Sequence, residues 1–230
     1  MDDTAEKVRE TLAALGMNGW GLTPADHEGF TCAASMFIAY HLPTEVDPLA
    51  GGDYDEAAFH GALVDARECG RQMLRGLDSV LDELRVRHWT VPGGQDPGTL
   101  LADLSEKRAA ALAGLGWIGK CSLLITPVHG PRVRLFTVLM ELDAVIAPTP
   151  LRPACGKCTA CIDACPEGYL SGADWLPGIE RAAVIDAFAC SRRMEELGVA
   201  IGHKHSCGLC LLACPLGAGQ RPEKGKLPGA

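Results

Sequence analysis

The sequence predicts an α+β protein in two parts, with the boundary near residue 150. Patterns typical of helices and strands alternate through residues 1–150, whereas eight of the eleven cysteines fall between Cys155 and Cys214. The stretch 146–153 contains three prolines and separates the two regions. We therefore expect an α+β module over residues 1–150 and a cysteine-rich domain over residues 151–230.

Sequence patterns assign the elements in order. Helices are expected over residues 3–15, 54–84, 104–113 and 179–194. Strands are expected over residues 33–40, 88–91, 121–126 and 132–142. The long helix is either continuous or broken near Gly70 or Gly76, and Asp103 with Glu106 has the spacing of a helix-capping box. The turn-rich stretch 127–131 predicts that the last two strands form a hairpin.

Composition excludes several classes of protein. The chain has 230 residues, of which 47% are hydrophobic and 22% charged, and its net charge is −8. Apolar runs such as Leu135 to Met140 are far shorter than the roughly 20 residues of a membrane span. The first residues are acidic, unlike the basic start of a secretory signal, so we expect a cytoplasmic protein with no membrane partner. The negative charge argues against a nucleic-acid partner.

The cysteines carry the strongest functional signal. Their number is odd in a chain without an evident export signal, which favours metal ligation over disulfides. The run from Cys155 to Pro166 reads C-x₂-C-x₂-C-x₃-C-P, the pattern that binds iron–sulfur clusters in bacterial ferredoxins. In this pattern three cysteines wrap one [4Fe–4S] cluster and the fourth binds a neighbouring one. A second cluster is therefore predicted.

A second, incomplete copy of the run supplies that cluster. Cys207 to Pro215 repeats the last three cysteines and the proline, Lys204 occupies the place of the first cysteine, and Cys190 is left to fill the vacancy. The predicted ligands are Cys155, Cys158, Cys161 and Cys214 for one cluster and Cys165, Cys190, Cys207 and Cys210 for the other. A pair of Cys₄ zinc sites is the alternative, which the third cysteine and the Cys-Pro ending disfavour. Cys32, Cys69 and Cys121 are expected to be packing residues.

The glycine-rich stretch from Gly114 to Lys120 matches two phosphate-loop patterns, and both are rejected. The order of strand and helix around it is reversed for a dinucleotide site, and Cys121 lacks the hydroxyl group that would bind Mg²⁺ in a triphosphate site. Two interpretations remain open. The stretch is either a tight helix-to-strand turn or a surface for a planar cofactor, with Trp117 and Lys120 beside it.

These motifs together resemble the epoxyqueuosine reductases and, more distantly, the reductive dehalogenases. The resemblance covers residues 100–217 and depends on the ordered cysteines, Glu106-Lys107-Arg108, the turn at 113–120 and the stretch that follows it. It implies a nitroreductase-like α+β module that holds a base-off cobalamin, next to a ferredoxin-like domain whose two [4Fe–4S] clusters feed it electrons. It also implies that the residues near the corrinoid are Gly114, Gly116, Trp117, Gly119 and Lys120.

Two departures from the family affect the expected substrate. The family has an aspartate proton donor six residues before the glutamate that matches Glu106, and here that position is Leu100, which cannot transfer a proton. The family also has a C-terminal helical-repeat domain that binds tRNA, and we expect a short form without it. The substrate is therefore expected to be something other than tRNA.

We expect an oxidoreductase in which an external donor, such as a ferredoxin or flavodoxin, reduces the clusters. The clusters then pass electrons to a corrinoid, with a flavin as the less favoured acceptor. The alternative is a non-catalytic electron-transfer protein or reductive activator that serves a separate corrinoid protein. A zinc-stabilised interaction module is the third hypothesis.

Overall fold

The computed structural model describes residues 3–41, 55–142, 148–201 and 207–218. The helices are α1 (Asp3–Ala14), α2 (Glu56–Glu83), α3 (Glu106–Leu112), α4 (Ala160–Asp163), α5 (Ala187–Ile201) and α6 (Leu209–Leu212). The strands are β1 (Gly19–His27), β2 (Phe30–Ala39), β3 (His88–Thr90), β4 (Trp117–Ile118), β5 (Leu124–Ile125) and β6 (Val133–Met140). A 3₁₀ turn spans Arg181–Ala183.

An antiparallel sheet in the order β1-β2-β6-β3 organises the first part of the chain. The apolar faces of α1 and α2 cover one side of this sheet, where residues such as Leu12 and Leu77 pack against Met36 and Val138. The short helix α3 contacts β1, β2 and β6, and its alanines pack with Leu135 on the opposite side. The central strands are therefore covered on both faces, which accounts for their nearly continuous apolar sequence.

Several predicted elements are confirmed. Helix α1 and the strands predicted over 33–40 and 88–91 are present, and α2 is one continuous helix of 28 residues. Gly70 does not break α2. It leaves room for the ring of Phe136, whose Cζ would lie 2.1 Å from an added Cβ. The glycine therefore serves packing between α2 and β6.

The predicted capping of α3 is wrong in detail. Its N-cap is Ser105, whose hydroxyl oxygen accepts a hydrogen bond from the backbone N–H of Arg108 at 3.3 Å. Asp103 lies two residues too early to reach the first turn. Ser105 thus satisfies a free backbone N–H in the first turn of α3, which is the task of an N-cap side chain.

The hairpin predicted from 121–126 and 132–142 is also wrong. The turn between these segments does form, with reciprocal backbone hydrogen bonds between Thr126 and Gly130. However, β5 pairs with β4, while β6 pairs with β2 and β3. All eight residues of β6 pair with β2, and three of them also pair with β3, whereas the two-residue strand β5 could have paired with only two.

The helix predicted over 179–194 begins later than expected. A 3₁₀ turn occupies Arg181–Ala183, and α5 starts at Ala187 after Asp186, whose carboxylate accepts a hydrogen bond from the N–H of Ala189 at 2.9 Å. Asp186 therefore caps α5. Within the described residues, no helix is both long and apolar enough to cross a membrane.

Candidate metal centre

The first cysteine run folds as a tight loop followed by a single helical turn. The N–H of Cys158 donates to the carbonyl oxygen of Cys155 at 3.0 Å, and Gly156 between them has a φ of +54°, a conformation that favours glycine. Cys161 lies in α4, and Cys165 follows the end of that helix. The two-residue gaps therefore turn the chain sharply, whereas the three-residue gap spans a helical turn.

Four of the predicted ligands surround one cavity of about 200 Å³. Its lining contains Cys155, Cys158, Cys161 and Cys214, together with Lys120, Cys121, Ile125, Ala154, Ala160, Pro215 and Leu216. The thiols come from two segments that are about fifty residues apart in sequence, since Cys214 follows α6. The fold thus brings together the four cysteines predicted for the first cluster.

The other four cysteines are electrostatic neighbours of one another. Burial raises the pKa of the Cys190 thiol, and the nearby Cys207 and Cys165 raise it further. Burial also raises the pKa of Cys210 to about 12, and Cys207, Cys190, Cys161 and Cys165 act in the same direction. Because Cys210 interacts with Cys161 as well, the two groups of thiols lie side by side.

The arrangement differs from a site for a single ion. Within the described ranges, no three His, Cys, Asp or Glu side chains are grouped so that they could hold one metal ion. A tetrahedral zinc site needs four sulfur atoms at about 2.3 Å from one point. The four thiols that line the cavity are a donor set that a [4Fe–4S] cluster also takes.

Two cations, the buried Arg132 and the partly buried Lys107, lie beside these thiols. Arg132 is 5% exposed and donates to the carbonyl oxygens of Cys214 at 3.2 Å, Leu216 at 2.9 Å and Leu212 at 3.2 Å. Its Nε atom is buried and has no hydrogen-bond partner among the described residues. The guanidinium therefore binds the chain on both sides of Cys214, and its Nε–H is a further donor.

Lys107 is the second cation. Burial lowers its pKa, Arg181 lowers it further, and the nearby Cys121 and Cys210 act in the opposite direction. Its Nζ donates to the carbonyl oxygen of Ser122 at 2.6 Å. Among the ion pairs of the described residues, none includes Lys107 or Arg132. Buried cations without a carboxylate partner are costly, so an anionic group bound between the thiols would offset them.

The glycines of the 114–120 turn pack against protein. An added Cβ at Gly116 would lie 2.2 Å from the carbonyl oxygen of Ile125, and one at Gly119 would lie 2.7 Å from the Ile125 side chain. Gly114 has a φ of +76° and lies against Pro148. These contacts account for the glycines as a tight turn between α3 and the β4–β5 pair.

The other two predicted cofactor residues face the cysteines. Trp117 is 7% exposed and belongs to the apolar cluster that includes Cys155 and Cys161. Its indole N–H has no partner within the part of the chain that the structure describes. Lys120 donates from Nζ to the carbonyl oxygen of Gly156 at 2.7 Å. The turn is thus joined to the first cysteine loop. That it also binds a planar cofactor stays a prediction.

A ninth thiol, which no motif predicts, lies at this centre. Cys121, expected to be a packing residue, lines the same cavity. The neighbouring Cys121 thiol is the largest cause that lowers the pKa of Cys161. Its place directly after the glycine turn was the only available signal.

The position of the missing aspartate lies in a restrained loop. Leu100 has a φ of +53°, and its carbonyl oxygen accepts a hydrogen bond from Arg181, which also donates to the carbonyl of Thr99 at 3.0 Å. The matching glutamate, Glu106, is largely buried, and burial raises its pKa to about 7 although Arg134 opposes the shift. The loop therefore carries no acid of its own at position 100, while a protonatable carboxyl lies nearby in sequence.

The chain is similar to known proteins in sequence and in fold. No protein-family model matches the chain. The epoxyqueuosine reductase of Gloeobacter violaceus is 39% identical over 123 residues, which are 49% of this chain and 35% of the relative. That of Bacillus subtilis is 29% identical over 148 residues, 63% of this chain and 36% of the relative. The resemblance to the epoxyqueuosine reductases is confirmed. The chain spans about a third of the length of these relatives.

Solved structures show the same fold. A crystal structure of an epoxyqueuosine reductase aligns with 95% of this chain and 67% of its own, with a TM-score of 0.64 and 19% identity. A catabolic reductive dehalogenase in complex with 3-bromo-4-hydroxybenzoic acid aligns with 93% of this chain and 32% of its own, with a TM-score of 0.68 and 19% identity. The mixed α/β fold is therefore shared with both groups of proteins.

Proposed function

We propose that this chain is an iron–sulfur oxidoreductase with two [4Fe–4S] clusters, which pass electrons to a corrinoid or, as the less favoured acceptor, to a flavin. The observation that carries the proposal is the separation of eight cysteines into two neighbouring groups of four. A [4Fe–4S] cluster takes four thiolates, so two groups of four use every cysteine of the region once. When bound, such clusters supply one-electron transfer.

In this proposal the first cluster is held by Cys155, Cys158, Cys161 and Cys214, and the second by Cys165, Cys190, Cys207 and Cys210. The two cations beside the thiols support the assignment. Arg132 lies at Cys214 of the first group, and Lys107 lies near Cys210 of the second. Each would offset part of the negative charge that four thiolates bring into the interior. The indole N–H of Trp117 and the Nε of Arg132 are buried donors that suit sulfur acceptors.

The proposal divides the chain near residue 150, with a nitroreductase-like module before it and a ferredoxin-like domain after it. Side chains and backbone from both regions meet at the cysteines. Arg132 binds the end of α6 at Leu212, and Lys120 binds the first cysteine loop. An acceptor bound by the first region would therefore lie on a segment that already contacts the proposed clusters. Electron transfer needs that proximity.

The corrinoid is proposed from the resemblance. A reductive dehalogenase with a TM-score of 0.60 and 18% identity is described in terms of B12-dependent dehalogenation. The residues of this chain proposed to lie near the corrinoid are Gly114, Gly116, Trp117, Gly119 and Lys120. An epoxyqueuosine reductase of similar fold is known in complex with an epoxyqueuosine-modified tRNA stem loop. We propose a substrate other than tRNA for this chain, because Leu100 replaces the family's proton donor and the net charge is −8.

The test is cofactor binding to anaerobically reconstituted protein. Titration with cob(II)alamin and, separately, with flavin mononucleotide should show saturable binding of one ligand to the wild type. Lys120→Gln should weaken that binding, whereas Arg67→Gln on the exposed face of α2 should not. Equal binding by both variants would remove the 114–120 turn from the proposed site. Absence of binding by the wild type would remove the corrinoid and flavin from the function.

That last result would favour the second candidate, a non-catalytic electron-transfer protein or a reductive activator of a separate corrinoid protein. The observation in its favour is the loop at Leu100, which has no acid at the family's donor position and is fastened by Arg181 to the 3₁₀ turn. In either case an external donor such as a ferredoxin or flavodoxin is the proposed partner. Stopped-flow reduction by each donor, monitored at the cluster absorbance, would identify it.

A further inference from the structure

We propose that Arg132 is a positioning residue whose buried positive charge stabilises the first cluster, more strongly in the reduced state, and so raises the reduction potential of that cluster. The inference rests on the proposed function, because it requires Cys214 to be a ligand of the first cluster. It concerns a cation that lies outside the cysteine motifs and belongs to the first region of the chain.

Arg132 contacts the wall of the cavity that the first four thiols line. Its Nη1 atom donates to the carbonyl oxygens of Cys214 at 3.2 Å and of Leu216 at 2.9 Å, and its Nη2 atom donates to that of Leu212 at 3.2 Å. Cys214, Pro215 and Leu216 themselves line the cavity. The guanidinium is therefore held against the segment that carries the fourth predicted ligand.

The backbone of Arg132 is fixed in place as well. Its N–H donates to the carbonyl oxygen of His129 at 3.1 Å, and its carbonyl oxygen accepts from the N–H of Tyr40 at 3.1 Å. The turn before it packs directly on the last cysteine segment, because a Cβ added at Gly130 would overlap the carbonyl group of Leu216. The positive charge therefore has one defined position relative to the cavity.

No carboxylate neutralises this charge within the ranges that the structure describes. Residues 207–218, which include all three carbonyl partners of Arg132, contain no charged side chain. The carbonyl groups satisfy hydrogen bonds of the guanidinium but leave its net charge. Because Arg132 is 5% exposed, that charge acts through protein rather than through water on a group bound in the cavity.

The direction of the effect follows from charge. Reduction adds one negative charge to a [4Fe–4S] cluster, and a fixed positive charge nearby stabilises the reduced state more than the oxidised state. At an effective dielectric constant of about 20, a unit charge within about 10 Å changes an equilibrium by about tenfold or more. For a one-electron couple, a tenfold change corresponds to about 59 mV. Salt screens a buried charge far less than an exposed one.

The test measures both cluster potentials in the wild type, Arg132→Gln and Arg132→Lys, each reconstituted anaerobically as the full chain. Lys157→Gln is the matched control, because Lys157 is an exposed cation next to the predicted ligand Cys158. Iron and sulfide are determined first. The potentials are then measured by redox titration with electron paramagnetic resonance detection, at low and at high sodium chloride concentration.

Arg132→Gln should lower one potential by about 59 mV or more at both salt concentrations and shift the other potential less. Arg132→Lys keeps the charge, so its potentials should stay close to those of the wild type. Any shift in Lys157→Gln should shrink at high salt, because the charge that this variant removes is exposed.

Two results would overturn the inference. Unchanged potentials in an Arg132→Gln protein with full iron would show that Arg132 only fastens the segment. An equal shift in Arg132→Lys would show that packing, and not charge, sets the potential. Should Arg132→Gln lose the first cluster, full iron in Arg132→Lys would support the role of the charge, and the same loss in both would contradict it. A wild-type protein that assembles no clusters would instead refute the proposed function.

Discussion

Replacing Arg132 with methionine should weaken the attachment of the last cysteine segment and with it the first cluster. The guanidinium donates three hydrogen bonds, to the carbonyl oxygens of Leu212, Cys214 and Leu216. Each bond from a charged donor contributes about 1.5–3 kcal/mol, and part of the total is returned because the variant no longer buries a charge. The expected loss is therefore about 3–5 kcal/mol in the free energy of unfolding.

The assay is anaerobic urea unfolding of the reconstituted protein, followed by far-ultraviolet circular dichroism and by cluster absorbance. Arg132→Lys keeps the charge but lacks the planar fork, so its loss should be intermediate. Arg67→Met, at an exposed position on α2, serves as the control and should change stability by less than about 0.5 kcal/mol. If Arg132→Met unfolds at the same urea concentration as the wild type and retains full iron, the role assigned to Arg132 is wrong.

Three further predictions concern iron, packing and pH. Cys190→Ala should lose the second cluster and about half of the iron, because Cys190 is the proposed fourth ligand in place of the cysteine that Lys204 replaces in the second run. Gly116→Ala should lower stability by about 2–3 kcal/mol, because its Cβ would lie 2.2 Å from a backbone carbonyl oxygen. Burial raises the pKa of Glu106 from 4.5 to about 7 in the folded protein. The protonated carboxyl therefore stabilises the fold at low pH, and this stabilisation is lost as the pH rises from about 4.5 to about 7. Glu106→Gln should therefore raise the free energy of unfolding at pH 8 by about 1–2 kcal/mol, a value limited by the hydration that the carboxylate retains, and change it less at pH 6.

Each of these predictions has a control and a contradicting result. Cys69→Ala should keep all of its iron, and the same loss in both cysteine variants would show that the ligand set is wrong. Gly61 has open space where a Cβ would lie, so Gly61→Ala should stabilise α2 by about 0.5–1 kcal/mol, and equal melting temperatures for the two glycine variants would contradict the packing argument. A stabilisation by Glu106→Gln that is the same at pH 6 and pH 8 would show that Glu106 does not titrate between them.

The pattern of apolar residues was sufficient to predict the helices and strands that have a regular apolar face or an almost wholly apolar sequence. Helix α2 has an apolar residue every three or four positions, and β2 is apolar along almost its whole length. Strand β1 was not predicted, because its sequence contains glycine, proline and aspartate, which are uncommon in strands. It is stable as an edge strand because it pairs with β2 along most of its length, and an edge position tolerates Pro24. The partners of β6 likewise depended on tertiary pairing that no local pattern contains.

The candidate centre shows the same division. Spacing predicted the two cysteine runs, and elimination alone suggested Cys190, which α5 carries to Cys207 and Cys165. Arg132 lies more than eighty residues before the carbonyl oxygens of Cys214 and Leu216 that it binds. A side chain whose contacts are so distant in sequence leaves no motif.

The most direct test of the proposed function is the metal content of the chain after anaerobic reconstitution. Two groups of four thiolates predict about eight irons and eight acid-labile sulfides per chain, a broad charge-transfer absorption and reversible bleaching by dithionite. Four irons or fewer in fully reconstituted protein, or zinc in stoichiometric amount, would contradict the assignment of two [4Fe–4S] clusters.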